Sequence, residues 1–164
     1  MSVPLPIQWI IGTGSSSLFP QAIETGARTV MVKSSEINGI PIHSSHFYLT
    51  ELLRDERGFD GFVVSDWYDI KNLHEREKVA DSQKEAARMA VVAGIDMSMV
   101  PRNYSFYNLL SEMVKTGEVP ESRIDEAVGR ILKVKFELGL LENQYPTKSL
   151  EFIIYFLEMF GSID

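Results

Sequence analysis

The sequence predicts an α/β fold with parallel strands and flanking helices, in the form of a partial TIM barrel of about three βα units. Three short segments rich in β-branched and apolar residues predict buried strands: Thr29–Lys33, Gly61–Ser65 and Ile95–Met99. Helical segments alternate with them, which is the order typical of parallel sheets. A closed (β/α)8 barrel takes about 250 residues, whereas this chain has 164. We therefore expect a partial barrel whose sheet has exposed edges, and such edges favour association between chains.

Helices are predicted around these strands at residues 19–25, 44–58, 82–92, 104–115 and 120–138. The first and third of them end at Gly26 and Gly94, in the position of a C-terminal cap. Pro120 suits the first turn of the last helix, along which apolar residues recur at helical spacing. After the first strand, residues 34–41 predict a turn around Asn38-Gly39.

Three regions are expected along the chain: an irregular lead-in at residues 1–18, the partial barrel at residues 19–145 and a linker-like tail at residues 146–164. The segment Lys148–Phe160 in that tail is either a hydrophobic helix or an unsupported end. The proline-broken N-terminus lacks the basic start of a signal peptide, and the apolar run Phe152–Leu157 is shorter than the roughly 20 residues of a membrane span. We expect a soluble chain with no membrane partner, in an unknown compartment.

The composition excludes several classes of function. Lysine and arginine total 16 against 23 acidic residues, so the net charge is −7. That balance disfavours a nucleic-acid partner, because phosphate binding needs clustered positive charge. The chain has no cysteine, which excludes disulfides, thiolate metal sites and cysteine nucleophiles.

A carboxylate follows the second predicted strand directly, at Asp66. In parallel α/β architecture, ligands bind at the carboxyl ends of the strands. Alternation along the strand puts Phe62, Val64 and Asp66 on one face. Trp67 adds a flat apolar surface of the kind that sugar rings prefer. The alternative from the residues alone is that Asp66 caps the following turn and Trp67 belongs to the core.

The segment Phe59–Trp67, which reads Phe-Asp-Gly-Phe-Val-Val-Ser-Asp-Trp, resembles the nucleophile motif of family 3 glycoside hydrolases. These are β-glucosidases, β-xylosidases and related exo-acting enzymes. Further blocks resemble the family in its own order and spacing: Glu36–His43, Leu49–Gly58, Ala93–Met97 and Ile124–Leu140. Several blocks in register are far more specific than the triplet Ser-Asp-Trp alone.

This resemblance implies a retaining exo-β-glycosidase whose partner is a carbohydrate, such as a β-glucoside or an oligosaccharide. Asp66 would attack the anomeric carbon of the terminal sugar and form a covalent glycosyl-enzyme, which water then hydrolyses. Trp67 would wall the sugar pocket near the leaving group, and Met31 would line its floor. No cofactor and no metal would be required.

Two of the departures of the sequence from the family pattern bear on the chemistry. Ser34 stands where relatives often carry a tyrosine near the nucleophile. The acid/base residue usually comes from a second domain after the barrel, and no glutamate of this chain is assigned that role, so we expect little activity from the chain alone.

The alternative is a catalytically inactive, truncated remnant that acts at most as a weak sugar-binding or interaction module. A third possibility is another barrel enzyme that shares only the βα order.

The three histidines, His43, His46 and His74, lack the partner spacing of a zinc site. His43 is expected to pack or to hydrogen-bond in the loop after the first strand. Asp96 lies at the end of a predicted strand, where a ligand contact is conceivable, but we expect it to have a structural role at the strand–loop junction.

Overall fold

The computed structural model of the chain describes residues 18–100 and 104–142. Its strands are β1 (Thr29–Met31), β2 (Glu36–Ile37), β3 (Ile40–Pro41) and β4 (Phe62–Val64). Its helices are α1 (Leu18–Glu24), α2 (Phe47–Glu56), α3 (Asp69–Glu75), α4 (Gln83–Ala93), α5 (Ser105–Lys115) and α6 (Glu121–Glu137), and a single 3₁₀ turn covers Ile42–Ser44. The fold is α/β, as the sequence predicts.

Strands β1 and β4 pair in parallel. In this sheet Thr29 of β1 lies opposite Phe62 of β4, and Met31 lies opposite Val64. The third predicted strand, Ile95–Met99, is wrong in extent, because only Met97 forms a parallel bridge, with Val64. The amides of Asp96 and Met97 both donate to the carbonyl of Val63, at 2.9 and 3.0 Å. This doubled pairing interrupts the regular ladder, since a ladder uses alternate residues.

The loop after β1 contains a small hairpin that the sequence predicted only as a turn. Strands β2 and β3 pair antiparallel, with Ile37 opposite Ile40. The two residues between them have positive φ, 54° at Asn38 and 76° at Gly39. Asn-Gly is the pair that accepts this left-handed geometry most readily, and a two-residue loop of this kind matches the twist of the flanking strands.

Two helices differ from expectation. Helix α2 lies in the predicted place, but its hydrogen bonds follow the wider π spacing over ten residues. Helix α3 was not predicted, because its seven residues bury only Asp69, Ile70 and Leu73. So short a segment carries too little apolar periodicity to be recognised.

The core is formed by apolar residues from the sheet and from the helices around it. Its most deeply buried members include Val63 of β4, Leu73 of α3, Ala86 and Ala90 of α4, Met113 of α5, and Ile95, which follows α4. Ser65 is also buried, and its hydroxyl accepts the amide proton of Met99 at 2.8 Å. The packing therefore fixes the end of β4, from which Asp66 emerges.

The chain divides into two compact units, Met1–Ile131 and Leu132–Asp164. The described part of the second unit holds the end of α6, which is closed by Gly139 with a φ of 66°. There the amide of Leu140 donates to the carbonyl of Lys135 at 3.0 Å, as in a glycine C-cap. The predicted lead-in at residues 1–18 lies almost wholly outside the described residues, and the tail at residues 146–164 lies entirely outside them.

Within residues 18–100 and 104–142, no helix combines the length and the apolar character that a membrane crossing requires.

Candidate active site

Asp66 leaves the sheet at the carboxyl end of β4. Along this strand Val63 and Ser65 are buried, whereas Phe62, Val64 and Asp66 are half-buried. The alternation predicted from the sequence is therefore observed. Since β1 runs parallel to β4 and ends beside Val64, the loop after β1 meets Asp66 at the same edge of the sheet.

Three polar groups hold Asp66. The amide of Trp67 donates to its Oδ1 at 2.6 Å, and the Ser34 hydroxyl lies 3.3 Å from its Oδ2. Its own backbone N–H donates to Nε2 of His43 at 3.2 Å. The described contacts of the Asp66 carboxylate are thus to neutral groups, the Trp67 amide and the Ser34 hydroxyl.

A second carboxylate, Asp69, lies behind Asp66 at the start of α3. Its side chain is 3% exposed and accepts hydrogen bonds from the Ser34 hydroxyl and from Nδ2 of Asn72, the latter at 2.9 Å. Arg76 approaches its Oδ1 at 3.5 Å, and Nδ1 of His43 approaches its Oδ2 at 3.8 Å. Asp69 therefore joins the loop after β1, the 3₁₀ turn and α3.

His43 is buried to the same degree as Asp69, with 3% of its surface exposed. Burial lowers the pKa of its imidazole from the ordinary value of 6.5, because the charged ring would lose its hydration. The nearby charges of Asp69 and Asp66 act against this shift but are smaller causes. A neutral ring agrees with its contact to Asp66, since Nε2 must keep a lone pair to accept a backbone proton.

The side chains of Trp67 and Met31 are both largely exposed, at 55% and 58% respectively. The indole of Trp67 meets the ring of Tyr68 edge-on, with 6.1 Å between the centroids. Neither residue lines the nearby cavity of about 210 Å³, whose walls include Tyr68, Lys71 and Phe106. The roles predicted for Trp67 and Met31 in a sugar pocket remain predictions.

Asp96 has a structural environment, as the sequence led us to expect. Its carboxylate is fully buried and receives hydrogen bonds from the guanidinium groups of Arg54, Arg123 and Arg130 at 2.6 to 2.9 Å. It also accepts the amide proton of Val63 at 2.9 Å. Its carboxylate is therefore withdrawn from solvent and committed to the junction of α2, β4 and α6.

The three histidines lie in separate surroundings. His43 hydrogen-bonds in the loop after β1, as predicted, while His46 contacts Glu51 at 3.3 Å and His74 contacts the carbonyl of Ala80 at 2.9 Å. The described residues contain no group of three or more histidine, aspartate or glutamate side chains arranged to hold a metal ion.

Sequence reasoning missed Asp69 and its link to His43. The available indication was the spacing of Asp66 and Asp69, which lie three residues apart across the turn that leads into α3, where the amide of Asp69 donates to the carbonyl of Asp66 at 3.3 Å. That indication required helix α3 to be recognised first.

Comparison with known proteins places the chain in a family. Residues 7–134 match the family described as "Glycosyl hydrolase family 3 N terminal domain". A lysosomal beta glucosidase of Dictyostelium discoideum is 52% identical over 129 residues, which cover 78% of this chain and 16% of that protein. A periplasmic beta-glucosidase of Salmonella typhimurium is 38% identical over 127 residues, covering 77% of this chain and 16% of that protein.

A solved structure supports the same assignment. The beta-glucosidase from Listeria innocua in complex with glucose superposes with a TM-score of 0.71 at 32% identity, over 76% of this chain and 17% of that one. The chain thus spans about a sixth of the length of the relatives that it matches. Because the family match covers most of the chain and agrees with the fold, the chain belongs to glycosyl hydrolase family 3, within the N-terminal domain of that family.

Proposed function

We propose that this chain supplies the nucleophile of a retaining exo-β-glycosidase that removes terminal β-linked sugars, with Asp66 as the nucleophile. One observation carries the proposal. Asp66 is a half-buried carboxylate at the carboxyl end of a parallel strand. Its Oδ1 is held by the Trp67 amide, and the Ser34 hydroxyl lies 3.3 Å from its Oδ2. A carboxylate oxygen placed in this way has a lone pair that can attack a sugar carbon.

In this reaction the Asp66 carboxylate forms a bond to the anomeric carbon as the bond to the leaving oxygen breaks. Water then cleaves the glycosyl-enzyme, and the sugar leaves with its configuration retained. A second carboxyl group about 5 Å away must donate a proton to the leaving oxygen. Asp69 does not suit that task, because it is buried and already accepts from Ser34 and Asn72. The acid/base is therefore not assigned to the described residues.

The sugar is proposed to be a β-glucosyl unit. The relatives are named beta-glucosidases, and the Listeria innocua protein is described in complex with glucose. In the proposal the exposed indole of Trp67 contacts the leaving-group side of the sugar. Met31, at the end of β1, contacts the sugar from below the nucleophile.

The test uses a dinitrophenyl 2-deoxy-2-fluoro-β-glucoside. Its leaving group departs without a proton, so the first step does not depend on an acid residue. The fluorine slows the second step, so that the glycosyl-enzyme accumulates. We expect mass spectrometry to find one covalent sugar on the peptide that contains Asp66, and none on Asp66→Asn. The control Asp55→Asn changes an exposed aspartate of α2 and should label normally; a sugar on another residue contradicts the proposal.

A second candidate function is a non-catalytic remnant that binds sugar weakly. It is favoured by the described residues, among which no second carboxyl group is assigned the proton transfer, since Asp69 already accepts from Ser34 and Asn72. In that case the fluoro-glucoside leaves no label, while glucose at millimolar concentration still shifts the NMR signals of Trp67 and Met31. Covalent labelling of Asp66 would exclude this second candidate.

A further inference from the structure

The backbone of Asp66 is fixed by the ring of a buried histidine. Its N–H donates to Nε2 of His43 at 3.2 Å. A backbone N–H can only donate, so Nε2 must carry a lone pair. The single ring proton of the neutral imidazole then lies on Nδ1, which is the less common tautomer of free histidine in water.

The other side of the ring faces Asp69. The distance from Nδ1 to Oδ2 of Asp69 is 3.8 Å, which is too long for a direct hydrogen bond. Both side chains are almost fully buried, so the electrostatic attraction between the Nδ1–H group and the carboxylate is weakly screened. The negative charge of Asp69 thus favours the proton on Nδ1, the side away from Asp66.

Asp69 is itself held rigidly. Asn72 donates to its Oδ1 at 2.9 Å, and the Ser34 hydroxyl donates to its Oδ2. The single proton of Ser34 serves Asp69 rather than Asp66, because the contact to Asp66 is 3.3 Å and lies beyond the usual O–H···O range. Oδ2 of Asp66 therefore keeps its lone pairs largely free, while Oδ1 is held by the Trp67 amide.

We propose that Asp69 is a positioning residue for Asp66. It orients the His43 ring through Nδ1–H, so that Nε2 fixes the backbone of Asp66. It also accepts the Ser34 proton, which leaves Oδ2 of Asp66 available. The link to catalysis rests on the proposed function, but the tautomer and the hydrogen bond do not. The charged groups that act on His43 are Asp69, Asp66, Arg76 and Glu77.

The direct test is the ¹⁵N NMR spectrum of the histidine side chains in the wild-type chain at pH 7.5. We expect His43 to show a protonated Nδ1 and an unprotonated Nε2. In Asp69→Asn the population should move toward the Nε2–H tautomer or toward a mixture, whereas Asp55→Asn, an exposed control, should leave it unchanged. A wild-type His43 that carries its proton on Nε2, or that is charged at this pH, overturns the proposal.

A second measurement follows the Asp66 amide by hydrogen exchange. His43→Gln retains an acceptor near the position of Nε2, whereas His43→Leu removes it. A net hydrogen bond of about 1 kcal/mol corresponds to roughly fivefold in exchange rate, so we expect His43→Leu to speed exchange about fivefold and His43→Gln to stay near wild type. Equal acceleration in both variants overturns the proposal, even if neither is fully stable.

The outcome for this proposal is separable from that for the glycosidase. Absence of a covalent sugar on Asp66 would refute its role as the nucleophile. The assignment of the His43 tautomer would be unaffected by that result. If Asp66 is labelled, the proposal further expects His43→Leu to label more slowly than His43→Gln at saturating fluoro-glucoside. Equal labelling rates would contradict a positioning role.

Discussion

At the scale of single residues, His43 makes the stability of the protein depend on pH. Burial lowers the pKa of its imidazole below 6.5 in the folded state, whereas the unfolded chain retains the ordinary value. The unfolded state then binds more protons as the pH falls below 6.5. The contribution of neutral His43 is fully present above pH 6.5 and is lost as the pH falls toward the folded-state pKa.

This dependence can be measured by urea unfolding between pH 7.5 and pH 5. We expect the free energy of unfolding to fall over this range in the wild type. His43→Gln, which cannot titrate, should show a shallower decrease. If both proteins lose stability with the same slope, the titrating group is not His43.

The residues of the site differ in how far sequence could predict them. Asp66 was accessible because a short strand pattern fixes both its face and its end of the sheet. The packing of His43 in the loop was also foreseen. Asp69 was not, because its importance lies in contacts with Ser34 and His43, which are 35 and 26 positions away in the chain and meet it only in the fold.

At the scale of the elements, Asp96 connects α2 and α6 to the sheet through three arginines. Removing one partner of a buried ion pair typically costs about 3–5 kcal/mol, because the remaining charges are left buried. We expect Asp96→Ala to lower the free energy of unfolding by about this amount. Arg130→Met should cost less, about 1 kcal/mol, because Arg130 is partly exposed and also contacts Glu126 at 3.6 Å.

Urea denaturation of these variants gives the comparison, and Asp125→Asn provides a control at an exposed aspartate of α6. If Asp96→Ala were as stable as Asp125→Asn, the cluster would not hold these elements together.

The contact between β1 and β4 depends on a glycine. A Cβ at Gly61 would strike the backbone carbonyl of Arg28 and the Phe59 ring, the latter at 2.8 Å. Since Arg28 accepts the amide proton of Phe62 through that carbonyl, the strands would have to separate. We expect Gly61→Ala to destabilise the protein by about 1–3 kcal/mol, as overpacking does.

Gly129 of α6 is the matched control, because a Cβ there meets nothing within 4 Å. Gly129→Ala should leave stability unchanged or raise it by about 0.5–1 kcal/mol, since alanine favours the helix interior. Thermal unfolding followed by circular dichroism distinguishes the two variants, and equal melting temperatures would refute the argument from close approach.

The predicted elements were correct where the local pattern and the packing agree. Helices α4, α5 and α6 lie where the apolar spacing predicts them. Ser82, predicted as the first residue of its helix, is instead the N-cap of α4 and accepts the amide proton of Glu85 at 3.1 Å. The segment Ile95–Met99 has strand composition, but the amides of Asp96 and Met97 share one carbonyl and the Asp96 side chain turns to the arginines. Such long-range partners are invisible to local propensity.

At the scale of the whole molecule, the parallel sheet has an open edge at β1 within residues 18–100 and 104–142. The carbonyl of Arg28 and the amide of Val32 bond to β4, so alternation turns the peptide groups of Thr29 and Met31 away from it. The described residues place no strand on that side of β1. Among the residues that the structure describes, these peptide groups of β1 therefore have no strand partner.

We therefore expect the chain to self-associate through β1, since an exposed edge with an apolar side chain is a template for another strand. Sedimentation velocity between 10 and about 200 µM should show an average mass that rises with concentration. Met31→Lys places a charge on the edge and should reduce association. Val92→Lys adds the same charge at an exposed apolar site on α4 and should not. Of these two residues, Met31 lies where a second strand can add to the sheet, whereas Val92 does not. If both variants reduce association equally, the association depends on general apolar exposure and not on the β1 edge.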